Sequence, residues 1–526
     1  LAEETRRYFR HSPTALSIRE TASLFIQQLE MAAPVPPPIG PDSPGLTAID
    51  RLCEWAFLPE PLLARAATSA LFGGIIETLC DDFSSHGVAA ANLVLTRILQ
   101  FIRARPEGAK LHRLLNDFGF TDAATLLARY QRLCQTSPLR DDETASLKKI
   151  LILSRVTAGA DIAITNVIIH RLRQRFAKAE LVLIGPAHLP EIFAAIPHCR
   201  HRKFLYKNDG SLFEKMSSWP HLLAITQEEQ QGYRPEEILL FDPDTRLSQL
   251  GLLPLAPDNR TCYFPSRASQ PEGESGMNLS QLTNQWLNRL FGEDQIWRPN
   301  LVFQQRGEGY HGFCQALHDQ GCRLVIVVNF GVGNDPRKKV HGRFEADLIL
   351  TLLAQPQTVV ILDTGRGQHE GQRLADHLGR VRRHNLPVSC LTVGEQSPAA
   401  AEGQGMSLKQ PPPFAHGLII FKGPLGALGK MIDAADGFIG YDSCGQHLAA
   451  ATSTPSVIVF AGAPSLRFIQ RWSPGVENNR TIPFDNFMST PGAIHRLIRE
   501  IQDTVQAMPA KGHDHQPPSL TTNPEP

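Results

Sequence analysis

A chain of 526 residues is longer than one hydrophobic core can organise, which predicts two or three domains. Lysine plus arginine balances aspartate plus glutamate at 52 each, so no global field draws the chain to nucleic acid or an anionic membrane, and any bound anion must be held by local groups. Nine scattered cysteines, with no CxxC pair and mostly in apolar settings such as RLCEWAF, suit reduced cytoplasmic thiols better than a disulfide framework or a zinc site.

The opening LAEETRRYFRHSP lacks the apolar core of a signal peptide, and no run reaches about 18 uninterrupted apolar residues, so no transmembrane segment is expected. Residues 1–145 read as a helical region, because TALSIRETASLFIQQLEMA, LVLTRILQFIRARP and TDAATLLARYQRL repeat apolar residues every three or four positions. A proline-rich linker at 34–44 interrupts it. From Lys148 the pattern changes. KKILILSRV, the turn TAGAD, the helical IAITNVIIHRLRQRF and the strand AELVLIG form a βαβ unit, which requires a parallel sheet. Later strands are expected at HLLAIT and EILLFDP, and SQLTNQWLNRLFGE with its flanking RASQPEGESG reads as a loop plus linking helices. A second series begins near Arg323 with RLVIVVNFG, TVVILDTG, LPVSCLTV, GLIIFKG, DGFIGYD and SVIVFAG. Such runs suit strands buried on both faces, as in a doubly wound sheet. The expected fold class is thus α/β, with two doubly wound Rossmann-like domains (147–300 and 301–507) facing a cleft, preceded by an all-α region. A tail at 508–526 is expected to be disordered.

In open parallel sheets ligands bind beyond the carboxyl ends of the strands, and four such ends carry polar residues. In DSCGQHLAAA, the turn from Asp442 through Ser443, Cys444 and Gly445 starts a helix whose unpaired N–H groups suit a phosphate, while Asp442 or Ser443 serves equally as a plain N-cap and His447 as a core histidine. Asp161, at a helix start after the first strand, reads as a general base or as a capping carboxylate. The loop NFGVGNDPRKKVHGRF offers Asn329 with Arg337, Lys338 and Lys339, either as donors to a diphosphate or as a solvated charge run. Glu370, in DTGRGQHEGQRLAD, reads as a ribose ligand or as a first-turn acid complementing the helix dipole. The GRGQHEG within it is not a GxGxxG dinucleotide fingerprint.

Taken in this order, the four sites resemble those of the heptosyltransferase-like glycosyltransferases of family 9, which have the GT-B fold. The resemblance spans about Lys148 to Phe484 and leaves the helical region outside. It implies that Asp161, preceded by Ala160 where the family has glycine, is the catalytic base. It implies a donor-phosphate role for Arg337 or Lys338, depending on the alignment, and for NFGVG, which begins with Asn329. It places Glu370 of HEGQRLA near the donor ribose. DSCGQHLAAA is similar to the segment that binds donor sugar and diphosphate, with Cys444 standing where the family has glycine; the required backbone angle is then ordinary, or Gly445 takes the role.

The resemblance further implies an inverting, metal-independent transfer of heptose or a similar sugar, with the nucleotide sugar, for example ADP-heptose, as substrate and no other cofactor. The acceptor would be a surface glycan or a lipopolysaccharide-type glycolipid, and the enzyme cytoplasmic or peripheral at the inner membrane. The helical region is then a candidate for binding acceptor, membrane edge or a protein partner. A non-catalytic sugar-nucleotide-binding or partner-binding protein, and a nucleotide-sugar epimerase or hydrolase, are the rival readings.

Overall fold

The computed structural model describes residues 14–31, 44–207, 210–268, 276–301, 308–333, 335–364, 370–393 and 405–509. Linker residues 34–43, the loop 365–369 and tail residues 510–526 lie outside the described residues. The chain divides into two compact units. The first takes residues up to 190, then 196–298 and 464–472; the second takes 191–195, 299–463 and 473 onward.

The first unit opens with helices at Ala15–Met31, Pro44–Trp55, Pro61–Ser69, Ser85–Arg103, Ala109–Asp117 and Ala123–Leu133. Ser84 caps the helix Ser85–Arg103 by accepting the Gly87 N–H at 2.9 Å, and the buried Val88, Ala91, Leu95, Ile98 and Ile102 lie on one face at three- and four-residue spacing. Among the described residues, the helical run Pro61–Asp81, 21 residues, is long and apolar enough to span a membrane by length and composition, a property that it shares with core helices of globular proteins. Its charged residues interrupt the apolar run in sequence but not the average. Within this unit its Leu71 and Ile75 are fully buried.

The sheet of the first unit comprises β1 (Lys149–Leu153), β2 (Glu180–Gly185), β3 (Cys199–Lys203), β4 (Ile238–Asp242) and β5 (Thr261–Tyr263). All pair in parallel in the order β3-β2-β1-β4-β5. One core runs from the helices into this sheet, joining Ile49, Leu95 and Ile98 to Leu151, Val182, Trp219 and Leu240. The helical region and the first sheet are therefore one folded body. HLLAIT, expected as a strand, lies inside the helix Leu212–Gln230. Ser211 and Glu214 form the capping box that starts it, and Leu212, Met216, Trp219, Leu223 and Thr226 then bury one helical face. Read from His221 alone, that period is invisible.

The second sheet contains β6 (Leu324–Asn329), β7 (Thr358–Asp363), β8 (Val388–Thr392), β9 (Gly405–Met406), β10 (Gly417–Lys422), β11 (Gly437–Tyr441), β12 (Ser456–Ala461) and β13 (Asn479–Phe484). The order β13-β12-β11-β6-β7-β10-β8-β9 is parallel throughout. Strand order reverses between β6 and β11 here, and between β1 and β4 in the first sheet. These are the switch points at which loops diverge and open a crevice. The strands that sequence patterning missed, β3, β5, β9 and β13, are short or charged and lie at or near the ends of their sheets. Such positions favour charge or proline over long apolar runs.

Candidate functional site

In the second unit the switch point brings Asn329, the last residue of β6, beside Gly440 of β11, so the loops that follow both strands meet. Asn329 is 5% exposed; its amide donates to the Asp363 carboxylate at 2.6 Å and its oxygen accepts the Gly331 N–H at 3.0 Å. It braces the strand ends against each other. From the β11 side, Ser443 is the N-cap of the helix Cys444–Ala451, its hydroxyl accepting the Gly445 N–H at 3.4 Å. The helix thus points its positive end to the switch point.

The loop after β6 carries both candidate cations, and the fold separates them. Asn486 donates to the Arg337 and Lys339 carbonyls at 2.8 and 2.9 Å, and the Tyr441 hydroxyl accepts the Val340 N–H. Held this way, Lys338 turns inward to pair with Asp442, whereas Arg337, 68% exposed, forks onto Asp335 of its own turn with two bonds of 2.9 Å. The site therefore receives Lys338. The other Asp442 oxygen accepts from Gln446 at 2.7 Å, so Asp442 orients a lysine and a glutamine at the helix start.

His447 is 6% exposed, with Gln446 at 3.3 Å. Burial pushes its imidazole down to about 4, Asp442 opposing the shift and Lys338 adding to it, so the ring is neutral at pH 7. Because the unfolded imidazole titrates near 6.5, the unfolded chain takes up this proton first as pH falls. The resulting stability is complete above about pH 6.5 and is lost progressively towards pH 4. His447→Gln is expected to make the melting temperature of the second unit fall less steeply over that interval; parallel pH profiles for variant and parent would contradict the assignment.

Cys444 occupies the first helical position, and its φ is not among the positive ones, so the turn needs no left-handed residue there. Gly445 is required for another reason. A Cβ on it would sit 2.5 Å from Cζ of Phe438 on β11, so the glycine lets the helix close onto the strand. Glu370 opens the helix Glu370–Arg383, and its side chain lies outside the described residues.

In the first unit Asp161 follows β1 and begins a π-helical turn, Asp161–Thr165. It is fully buried. One oxygen accepts the Ser154 hydroxyl at 2.7 Å, and the other accepts the Arg155 N–H at 2.7 Å and the Thr165 hydroxyl at 2.8 Å. His188 Nε2 lies 3.5 Å away. Asp161 thus ties the strand end to the helix that follows it. Between them Val156 has φ +73°, an unfavourable angle for a β-branched residue and one that functional turns retain at a cost of about 1–3 kcal/mol.

Sequence reasoning passed over the rest of this switch point. At the end of β4, burial raises the Asp242 carboxyl to about 6 against the Ser248 hydroxyl and Thr245 N–H, and Asp244 holds Arg267 and Arg155 in a buried cluster with Tyr263 and Ser266. Both aspartates stand in EILLFDPD, and His188 in GPAHLP, immediately after strands. Applying the strand-end criterion to every strand would have found them.

No protein-family model and no curated protein sequence matches the chain. Among solved structures, it is similar to E. coli ADP-heptose lps heptosyltransferase II, with 14% identity, 68% of this chain and 98% of that chain covered, and a TM-score of 0.44. It is similar to the glycosyl transferase family 9 protein from Veillonella parvula at 13% identity, with 68% and 97% covered and a TM-score of 0.44. E. coli heptosyltransferase WaaC with ADP matches at 12% identity, with 68% and 99% covered and a TM-score of 0.42. At such identities and scores, the likeness carries neither activity nor substrate over to this chain.

Proposed function

We propose that the chain is a GT-B-type glycosyltransferase that moves a sugar, with inversion, from a nucleotide-sugar donor to a hydroxyl of a glycan or glycolipid. The observation that carries this reading is the meeting of Lys338, Asp442 and the Ser443–His447 helix start at the switch point of an eight-stranded parallel sheet. A departing nucleoside diphosphate gains negative charge, and a lysine held by a carboxylate, together with a helix N-terminus, is suited to stabilise it without a resident metal or cofactor. Glu370 is proposed to reach the donor ribose. The first unit is proposed to receive the acceptor and to supply the base from the turns that follow β1 and β2, where Asp161 lies beside His188. Heptose on ADP is the first donor to try, a lipopolysaccharide-type glycan the first acceptor, and the cytoplasm, at or near the inner membrane, the proposed location.

A panel of nucleotide sugars tested by thermal shift addresses this directly. A true donor at about 100-fold excess over its Kd stabilises by about 2.7 kcal/mol, a clear rise in Tm. Sugar transfer that requires an acceptor glycan is the expected second result. Binding without turnover would establish a non-catalytic protein, and sugar conversion without acceptor an epimerase or hydrolase. If neither nucleotides nor nucleotide sugars stabilise the chain, the proposal fails.

A further inference from the structure

We propose that the proton acceptor in the first unit is His188, with Asp161 as its positioning residue; this rests on the transferase reading above. A base must come within about 2.6–3.2 Å of the hydroxyl it deprotonates. Asp161 is fully buried and both its oxygens accept hydrogen bonds from Ser154, Arg155 and Thr165, so it is enclosed by its own turn. His188 is differently placed. Its side chain is 18% exposed, while its Nε2 is buried, has no hydrogen-bond partner among the described residues and stands 3.5 Å from Asp161 Oδ2.

The backbone explains the meeting. Gly185 ends β2 beside the end of β1, and a Cβ there would lie 2.4 Å from the Ser154 Cβ. The glycine therefore lets the two strand ends close up and delivers the turn at 186–188 to Asp161. A buried, unsatisfied nitrogen is costly, and a proton on Nε2 directed at the carboxylate removes that cost. The lone pair then resides on Nδ1, the other ring nitrogen. Catalytic hydrogen bonds are commonly long before substrate binds and tighten in the complex, which accommodates the 3.5 Å separation.

In the proposed step Nδ1 takes the acceptor hydroxyl proton as that oxygen bonds to the anomeric carbon. The bond from that carbon to the diphosphate oxygen breaks, and its electron pair leaves with the nucleoside diphosphate. The imidazolium so formed faces the Asp161 carboxylate, which stabilises it.

Two measurements on the full-length protein decide the matter. With labelled histidine, ¹⁵N NMR at a pH where the ring is neutral should show His188 as the Nε2–H tautomer, and Asp161→Asn should shift that balance. Separately, His188→Gln should lower kcat by about 10²–10⁴-fold while leaving the Kd for ADP or UDP within twofold, and added imidazole should restore part of the turnover of His188→Gly. An Nδ1–H tautomer in the parent protein, or a kcat for His188→Gln within threefold of parent, overturns the proposal. If the parent transfers no sugar from any donor, the transferase reading fails instead, and the tautomer still reports whether the pair exists.

Discussion

Lys338→Met is expected to weaken binding of a nucleoside diphosphate by about thirty- to a hundredfold, whereas Arg337→Met should change it by less than about threefold. A hydrogen bond to a charged group contributes about 1.5–3 kcal/mol, and each 1.4 kcal/mol is tenfold in Kd. The Lys338 side chain is 27% exposed, and Asp442 holds its ammonium at the end of β11, so little of its attraction is lost to ordering a long side chain when the anion arrives. Arg337 already forks onto Asp335, with its side chain 68% exposed. Calorimetric titration of ADP and UDP into both variants measures the difference. Equal effects from the two substitutions would remove Lys338 from the site and with it the main support for the diphosphate reading.

Asp244→Ala should destabilise the first unit by about 3–5 kcal/mol, the usual loss when one partner of a buried ion pair is removed and the other charge stays buried. Asp244 is 3% exposed and is contacted by Arg267, Arg155, Tyr263 and Ser266; Arg267 also donates to the thiol of Cys80 at 2.9 Å, a residue of the helical region. Burial alone would raise the Asp244 carboxyl, but Arg267 and Arg155 outweigh it and hold the group below the ordinary carboxylate range. Its stabilising effect is therefore complete above about pH 4, where unfolded aspartate ionises, and is lost only as pH falls through the lower folded value. All five tryptophans, Trp55, Trp219, Trp286, Trp297 and Trp472, belong to the first unit, so urea unfolding followed by their fluorescence reports on it alone. The double variant Asp244→Ala, Arg267→Met should be less destabilised than the two single losses added together. A loss under about 1 kcal/mol for Asp244→Ala would show that the cluster contributes little.

The chain's apolar grammar is local, and that is why so much of it was legible. RLVIVVN, TVVILD, GLIIFK, GFIGY and SVIVFA are strands because β-branched and aromatic runs of five to seven residues, closed by Gly, Asp or Asn, fit a sheet covered on both faces. The same grammar places Asn329 and Asp442 at strand ends and Asp161 at the helix start that follows β1. Segments whose pattern needs a longer frame were misread, as HLLAIT shows.

What the sequence determined by itself is the alternation of strand and helix, the two parallel series and the polar residues at their ends, since these follow from periodicities of a few residues. Only the tertiary structure decided that the helical region shares a core with the first sheet, that Lys338 rather than Arg337 faces Asp442 from 104 positions away, and that Asp161 is enclosed beside His188. Such pairings depend on strand order and loop anchoring. A cation that forks onto Asp335 two residues away and one that reaches Asp442 look alike in sequence, and burial of a carboxylate depends on neighbours that the chain brings in from elsewhere.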